Sequence, residues 1–225
     1  MLPNGRRLGA HLPLAKGLVR AAEHARELGA SAMQVFTDNP SAWRRRASPP
    51  AELPAFRARL AELDIRPLAV HAAYLVNIAG ARPELYERSI EVLGHELRIA
   101  PEWGAAYVNV HVGSHLGAGV QTGLERAGAA IARALASAPG GPDAARLVLE
   151  SSAGGGQGLG ATIEELAALL DSAVAHGADP DRIRFCLDTA HLWAAGYPIA
   201  EPEEVDRVVR RFDELIGLDR LVLVH

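Results

Sequence analysis

The 225-residue chain contains few cysteines, lysines and aromatic residues, and each of these shortages argues against a particular kind of site. Its one cysteine, Cys186, excludes an intramolecular disulfide and a zinc site built on several cysteines, so we expect any metal to rest on His, Asp and Glu. Aromatic residues make up 5% of the chain, which argues against a surface that stacks many bases. No apolar run approaches the ~20 residues that span a bilayer, and the N-terminus lacks the apolar segment of a secretory signal. We therefore predict a cytoplasmic protein with no membrane partner.

The composition is that of a globular protein, with 49% hydrophobic and 22% charged residues. Lys+Arg 23 against Asp+Glu 27 gives a net charge of −4, which argues against a broadly basic surface that coats nucleic acid. A locally basic groove remains compatible with this balance.

Short β-branched runs alternate with helix-like stretches rich in Ala, Leu, Glu and Arg along the whole chain. The predicted strands cover 7–11, 32–36, 66–71, 107–112, 146–150, 182–188 and 220–225. The predicted helices cover 14–28, 52–63, 83–103, 119–137, 162–176 and 202–216. This alternation is typical of α/β proteins with a parallel sheet. It predicts a single (β/α) TIM-type barrel domain over 1–225, with an open doubly wound sheet as the alternative.

The number of predicted strands is one short of a closed barrel, which has eight strands and about 250 residues. The seventh predicted strand ends at His225. We therefore expect a barrel that is C-terminally incomplete and lacks its eighth βα unit within these residues.

Histidines and carboxylates stand at the ends of successive predicted strands. They are His71, His111, Glu150, Asp188 and His225, at intervals of 40, 39, 38 and 37 residues. In a parallel barrel these ends meet on one rim, where active sites are built. Because burying such groups without partners costs several kcal/mol, the pattern predicts bound divalent cations. Mixed imidazole and carboxylate ligands favour zinc first, then manganese or iron.

Three further histidines lie near the same rim. His191 follows Asp188 in one predicted loop and is a further candidate ligand. His11 ends the first predicted strand, outside the regular spacing, and we expect it to hydrogen-bond around the ligands. His115 follows His111 in the same loop, and its sequence position leaves open whether it supports the site or plays no part in it.

Seven strings spread along nearly the whole chain resemble, in order, those of bacterial endonuclease IV, the family 2 apurinic/apyrimidinic endonucleases. They are GAHLPLAKGL (9–18), VFTDNPSAW (35–43), VHAAYLVNIA (70–79), VNVHVGSHLG (108–117), VLESSAGGGQGLG (148–160), CLDTAHLWAAGYP (186–198) and VLVH (222–225). The resemblance implies a zinc-dependent DNA repair endonuclease. Such an enzyme hydrolyses the phosphodiester 5′ to an abasic site and leaves a 3′-hydroxyl.

The resemblance also implies two or three zinc ions and a role for each rim residue. His71 and His111 would hold the first ion, and Glu150 would bridge it to the second as the catalytic carboxylate. Asp188 and His225 would complete much of the second ion's shell, and His191 would contribute to a third. Family members carry further ligands after the position of His225. We therefore expect this length of chain alone to hold fewer than three zinc ions tightly and to cleave poorly.

The partner implied by the resemblance is double-stranded DNA with an abasic site, bound by a monomer. Tyr74 matches the tyrosine that the family inserts into the duplex beside the flipped-out nucleotide. Asn39, Trp43 and Arg44 lie in a matching string and are the other predicted DNA contacts. Ser41 stands where the best-known members insert an arginine into the duplex, so we expect a weaker insertion at this second position. The basic run 44–46 is either a solvated face or a phosphate contact.

Two other functions compete with this one. A xylose-isomerase-like sugar isomerase or epimerase shares the barrel and a metal rim, but it needs proton-shuttling residues, and Lys16, the one lysine, falls in the first predicted helix. An inactive zinc- and lesion-binding fragment is the second alternative.

The Gly-rich stretch 150–160 could cradle a phosphate, but it lacks the P-loop Lys-Ser/Thr and more readily predicts a close-packed rim loop.

Overall fold

Strands and helices alternate in the computed structural model, which describes residues 5–225. The strands are β1 (Gly9–His11), β2 (Ala32–Val35), β3 (Leu68–His71), β4 (Ala105–His111), β5 (Arg146–Glu150), β6 (Ile183–Leu187) and β7 (Leu221–Val224). The helices are α1 (Leu18–Glu27), α2 (Leu53–Glu62), α3 (Pro83–Trp103), α4 (Val120–Ala136), α5 (Ile163–Ala175), α6 (Thr189–Ala194) and α7 (Pro202–Leu215). Single 3₁₀ turns at Pro180–Arg182 and Leu218–Arg220 lead into β6 and β7.

The strands form one parallel sheet in the order β1-β2-β3-β4-β5-β6-β7. This sequential order is that of a TIM-type barrel, because a doubly wound sheet reverses its strand order at a switch point. The barrel prediction is therefore confirmed, and the doubly wound alternative is wrong. In the part of the chain that the structure describes, β1 and β7 are the two edges of a curled, seven-stranded sheet.

Apolar side chains fill the space between this sheet and the surrounding helices. Phe185 on β6 packs edge-on against Phe212 of α7, with ring centroids 5.7 Å apart, and both are fully buried. Phe56 of α2 meets Trp103 of α3 in the same way at 6.3 Å. Each such side chain contributes about 1.5–3 kcal/mol by leaving water. This packing holds the strands, and with them the strand ends that carry the polar residues.

Two helix predictions differ from the structure. The first helix begins at Leu18 rather than at 14, because Gly17 has a φ of 106° and the Leu18 amide is capped by Glu52 Oε2 at 2.7 Å. Helix α6 lies where we expected a loop, since Asp188 Oδ1 caps it by accepting from the His191 amide at 2.8 Å. Within residues 5–225, no helix combines the length and the apolar composition that crossing a membrane requires.

Candidate metal centre

One carboxylate, Glu150, lies at the middle of a polar cluster on the rim. It ends β5, and only 2% of its surface is exposed. His71 Nε2 and His111 Nε2 each lie 3.5 Å from its Oε2. His225 Nδ1 lies 3.2 Å from its Oε1. Imidazoles from three other strand ends therefore surround the two oxygens of Glu150.

Strand register explains this convergence. His111 pairs in parallel register with Glu150 across β4 and β5, and His71 pairs with Asn109 across β3 and β4. Successive side chains of a strand point to opposite faces, so Asn109 and His111 share the face opposite the buried Val108 and Val110. The register thus brings the ends of β3, β4 and β5 to the same point.

Asp188 and His191 join the cluster through helix α6. Asp188 follows β6 and caps α6, which places His191 one turn later on the same side. His191 Nδ1 lies 3.7 Å from Glu150 Oε1 and 3.9 Å from Asp188 Oδ1. The short helix therefore brings two ligand-type side chains to Glu150 from one strand end.

Backbone carbonyls fix the tautomers of two of these histidines. His71 Nδ1 donates to Ala72 O at 2.8 Å, and His191 Nδ1 donates to Ser151 O at 2.7 Å. A carbonyl oxygen can only accept, so each Nδ1 carries the hydrogen and each Nε2 presents a lone pair. This arrangement of the outer nitrogen is typical of metal-binding histidines.

The pKa values follow from burial and from these contacts. Burial acts to raise the pKa of Glu150, but the hydrogen bond from His225 and the neighbouring imidazoles of His71 and His111 outweigh it and hold this pKa well below its usual range. The same hydrogen bond to Glu150 raises the pKa of His225. Burial lowers the pKa of His111, so its ring is neutral near pH 7. The cluster thus offers an ionised carboxylate beside a neutral imidazole.

The donor set fits divalent metal ions. Three groups of three side chains could each hold an ion, because the ligand atoms within each group lie within 4.8 Å of one another. Glu150 belongs to all three groups. They are His71–His111–Glu150, Glu150–Asp188–His191 and Glu150–Cys186–His225. Six of these seven side chains are the metal ligands predicted from the sequence, and their role as ligands stays a prediction.

Cys186 is the member that sequence reasoning missed. It was set aside because a single cysteine cannot build a cysteine-rich zinc site, yet it lies on β6 two residues before Asp188, on the same inward face. Burial raises the pKa of its thiol, and the nearby charges of Glu150 and Asp188 raise it further. The neutral thiol is thus strongly favoured, and we keep the His and carboxylate side chains as the expected ligands.

Two buried amides support the cluster from the barrel interior, and no sequence pattern singled them out. Asn109 Nδ2 donates to Glu150 Oε2 at 2.5 Å. Gln34 Nε2 donates to His11 Nδ1 at 3.1 Å, so the His11 hydrogen is on Nε2. These amides hold one ligand-type oxygen and one neighbouring ring in place.

His11 lies beside the cluster, where its ring stacks on His71 with centroids 5.7 Å apart. The residue is solvent-exposed, but contact with Phe36 and His71 desolvates part of the ring. This desolvation, together with the nearby His71 and His225, lowers the pKa of His11 to about 4. The supporting role of His11 stays a prediction.

His115 faces a different element. Its Nδ1 accepts from the Gly119 amide at 3.2 Å, at the start of α4. Its own amide donates to Gln157 O at 3.0 Å, and Leu159 donates to Gly113 O at 2.9 Å. The Gly-rich stretch therefore packs against the loop after β4, as expected for a rim loop.

The predicted DNA contacts lie on two neighbouring rim loops that touch each other. Tyr74, in the loop after β3, is 64% exposed and meets Phe36 edge-on at 5.0 Å. Its amide donates to Pro40 O at 3.0 Å, which joins this loop to the one after β2. Asn39 and Arg44 are exposed on that second loop, and Trp43 is half-buried. The two loops form a continuous edge beside the cluster.

The three arginines of the basic run 44–46 have different surroundings. Arg45 and Arg46 are paired, with Glu96 at 3.3 Å and Asp38 at 2.8 Å respectively. Ser41, at the position predicted for a second inserted side chain, donates its amide to Asn39 Oδ1 at 2.9 Å and shapes a turn. Of the three arginines, the exposed Arg44 is the best placed to reach a phosphate.

A wide cleft lies at the other end of the barrel. It measures about 910 Å³, and its lining includes Arg7, Arg57, Asp64, Arg66 and Tyr107. Its arginines are bound to neighbouring acceptors, whereas the rim groups converge on one point. The chemistry of the side chains therefore places the candidate site at the rim rather than in this cleft.

Comparisons with known proteins point to one family. The family described as xylose isomerase-like TIM barrel matches residues 22–225. A curated relative, the probable endonuclease 4 of Natronomonas pharaonis, is 38% identical over 97% of this chain and 74% of its own length. The probable endonuclease 4 of Haloarcula marismortui is 37% identical, with coverages of 97% and 75%.

Solved structures agree with this result. A crystal structure of endonuclease IV from Thermus thermophilus is similar with a TM-score of 0.82 and 40% identity, over 98% of this chain and 76% of that one. A D-tagatose 3-epimerase-like protein is similar with a TM-score of 0.71 at 18% identity, over 98% of this chain and 75% of that one. At that identity the second likeness shows the barrel fold alone.

Proposed function

The chain belongs to the endonuclease IV family within the xylose isomerase-like TIM barrels, and from this premise we propose that it is a DNA repair endonuclease acting at abasic sites. The observation that carries the proposal is the convergence of imidazoles and carboxylates on Glu150 at the rim. The proposed reaction is hydrolysis of the phosphodiester 5′ to the abasic site in double-stranded DNA, leaving a 3′-hydroxyl.

The proposed cofactor is zinc, in two or three ions, with manganese or iron as substitutes. His71 and His111 would hold one ion, and Glu150 would bridge it to a second. Asp188 and His225 would hold that second ion, and His191 would contribute to a third. When bound, such ions supply a nucleophile from water at neutral pH and neutralise charge on the phosphate oxygens.

The side chains of this chain prepare the site before any substrate arrives. Asn109 holds one oxygen of Glu150, and His225 holds the other. The low pKa of Glu150 keeps it ionised, so it can face cations without first losing a proton. No side-chain nucleophile is invoked, because Cys186 is buried and its raised thiol pKa keeps it neutral.

The exposed edge of the two rim loops is the proposed DNA contact. Tyr74 offers a large exposed ring beside His71, with centroids 6.0 Å apart, at the position where it would fill the gap left by a missing base. Because an abasic nucleotide has lost its stacking and pairing, extruding it costs less than extruding an intact one. Asn39, Trp43 and Arg44 would contact the backbone next to that gap.

The sugar isomerase or epimerase alternative finds less support. The epimerase-like neighbours share the fold at low identity. Lys16, the one lysine, is exposed in a turn before α1 rather than inside the first helix as expected, so it does not provide a buried proton-shuttling group. The abasic endonuclease is the interpretation that uses the rim residues and the exposed Tyr74 together.

The test is incision of a duplex that carries a single abasic site, compared between the wild type and Glu150→Gln. The amide keeps the volume but loses the charge that faces the cations, so incision should fall by about 10³-fold or more while the fold is retained. Glu164→Gln, a surface change in α5, is the matched control and should incise like the wild type. Full incision by Glu150→Gln, or none by a zinc-loaded wild type, would contradict the proposal.

A further inference from the structure

A second buried carboxylate, Glu96, lies away from the metal centre, in the middle of α3. Only 1% of its surface is exposed. Burial raises its pKa, and a hydroxyl and a guanidinium that contact it oppose this rise. A buried carboxylate of this kind is costly unless its partners are held in place. Its partners therefore indicate what Glu96 is for.

Both partners of Glu96 come from the loop after β2. Thr37 Oγ1 donates to Oε2 at 2.6 Å, and Arg45 Nη1 donates to Oε1 at 3.3 Å. The Arg45 side chain is 9% exposed, and its Nη2 also donates to Asn39 O at 3.1 Å and to Ala42 O. One carboxylate in α3 thus holds both ends of the segment 37–45.

This segment has no helix or strand of its own to fix its shape. It carries Asn39 and Arg44, which are exposed, and Pro40, whose carbonyl accepts from the Tyr74 amide at 3.0 Å. The hydrogen-bonded path therefore runs from Glu96 through the segment to Tyr74. The carboxylate is buried beneath the same rim edge that carries the proposed DNA contacts.

We propose that Glu96 is a positioning residue for substrate binding, which acts through Thr37 and Arg45 to hold segment 37–45 and Tyr74 in the arrangement that meets the lesion. The inference rests on the proposed function for its link to DNA, but the anchoring of the segment can be tested without DNA. Removing the carboxylate leaves the Arg45 guanidinium without its buried partner, and the segment then loses these hydrogen bonds to α3.

The experiment compares Glu96→Ala, Glu96→Gln and Thr37→Val with Glu87→Gln. Glu87 lies on the same helix and pairs with Arg133 at the exposed surface, so it is the matched control. Limited trypsin digestion follows cleavage after residues 44–46, and steady-state incision of an abasic duplex gives KM and kcat. Zinc content is measured on each protein.

We expect Glu96→Ala to raise KM roughly tenfold or more, because the loop must be ordered when DNA binds. Its kcat and zinc content should stay within about twofold, since no ligand moves. Trypsin should cut after residues 44–46 faster. Glu96→Gln and Thr37→Val should shift KM and cleavage in the same direction by less, and Glu87→Gln should shift neither.

Three results would overturn the inference. Unchanged trypsin cleavage in all three variants would show that Glu96 does not anchor the segment. Faster cleavage with an unchanged KM would show that the anchor does not serve substrate binding. A fall in kcat or zinc content without a rise in KM would place Glu96 with the metal centre instead. If the wild type proved unable to incise abasic DNA, the proposed function would fail, and the trypsin result would still decide the anchor.

Discussion

The two ends of the barrel use charged residues in opposite ways. At the end opposite the rim, Arg7 and Arg66 divide the carboxylate of Asp64, with N···O distances of 2.8 and 2.7 Å to its two oxygens. At the rim, Glu150 is shared by imidazoles from several strands, and two of them face the same oxygen at 3.5 Å. The first arrangement is complete as it stands, whereas the second brings together more ligand atoms than one carboxylate can satisfy.

A functional site is therefore identified by the partners of its charged side chains, rather than by the number of charges or the size of a cleft. The cleft of about 910 Å³ lies at the end where the arginines already have acceptors. The rim combines fixed imidazole tautomers with a single buried carboxylate, which is how a protein prepares for cations.

Metal removal should affect the rim most strongly. Chelation of the purified protein should reduce incision of abasic duplex below about one per cent, because no side chain replaces the cations. It should also lower the melting temperature, since ions that bind only the folded state add about 2.7 kcal/mol at a hundredfold excess over Kd. Zinc should restore both properties.

Incision assays and thermal melts of chelated and reloaded protein check this prediction, with manganese tested in parallel. Magnesium, a hard cation with a preference for oxygen ligands, serves as the control and should restore little. Undiminished incision after complete chelation would break the contrast between the two ends, because the rim would then need no cation.

Loss of the exposed rim aromatic should have a smaller and more selective effect. Tyr74→Ala should weaken binding to abasic duplex by about 10- to 100-fold, the scale of one lost aromatic stacking contact. Zinc content should not change, since the Tyr74 ring contacts His71 only at a centroid distance of 6.0 Å. Fluorescence anisotropy with a labelled duplex measures the Kd, and Tyr74→Phe is the matched control. Zinc loss as large as the loss of binding would contradict this division of roles.

The metal-free protein should be most stable near neutral pH, because folding shifts the pKa values of its rim histidines in opposite directions. The pKa of His11 falls from 6.5 to about 4 through desolvation, and burial lowers that of His111, so the unfolded chain binds more protons below pH 6.5. The free energy of unfolding should therefore rise with pH over this range. Glu150, with its pKa lowered by its imidazole partners, adds a contribution that is lost as the pH falls through its pKa.

Above pH 6.5 the free energy of unfolding should fall as the pH rises. The pKa of His225 is raised by its hydrogen bond to Glu150, so the stability it contributes is full below 6.5 and is lost as the pH rises through its folded value. Urea unfolding of chelated protein between about pH 4 and pH 9 measures both limbs. His11→Asn should flatten the lower limb and His225→Gln the upper one. His24→Gln, an exposed change on α1, should alter neither, and a profile without a maximum would contradict the assignment.

The strands and the rim could be predicted from the sequence because both follow a period. The run of polar residues from His71 to His225 recurs once per βα unit, and strand ends of a parallel barrel meet whatever the loops do. Helix α6 was missed because a six-residue helix shows too few turns for a periodic pattern, and its cap, Asp188, is also a candidate ligand. Local competition of this kind cannot be decided from residue types alone.

Contacts distant in sequence were the other part that could not be predicted. Asn109 and Glu150 are 41 residues apart, and Arg45 and Glu96 are 51 apart. Each pair forms only because the fold brings distant segments together, so no local sequence pattern indicates it. Cys186 was overlooked for a similar reason, since its nearness to Glu150 depends on the register of β5 and β6. Partner choice is therefore a property of the fold.

The smallest effect is expected at the end of the barrel where the charges are already paired. Asp64→Asn should leave incision and zinc content unchanged, because Asp64 faces Arg7 and Arg66 and no rim residue. Its carboxylate is 57% exposed, and ion pairs in water contribute little to stability, so the urea midpoint should shift only slightly. The comparison with Glu150→Gln is direct, since both changes turn one carboxylate into an amide. Loss of incision in Asp64→Asn would show that the paired end also serves the reaction, and the contrast between the two ends would no longer hold.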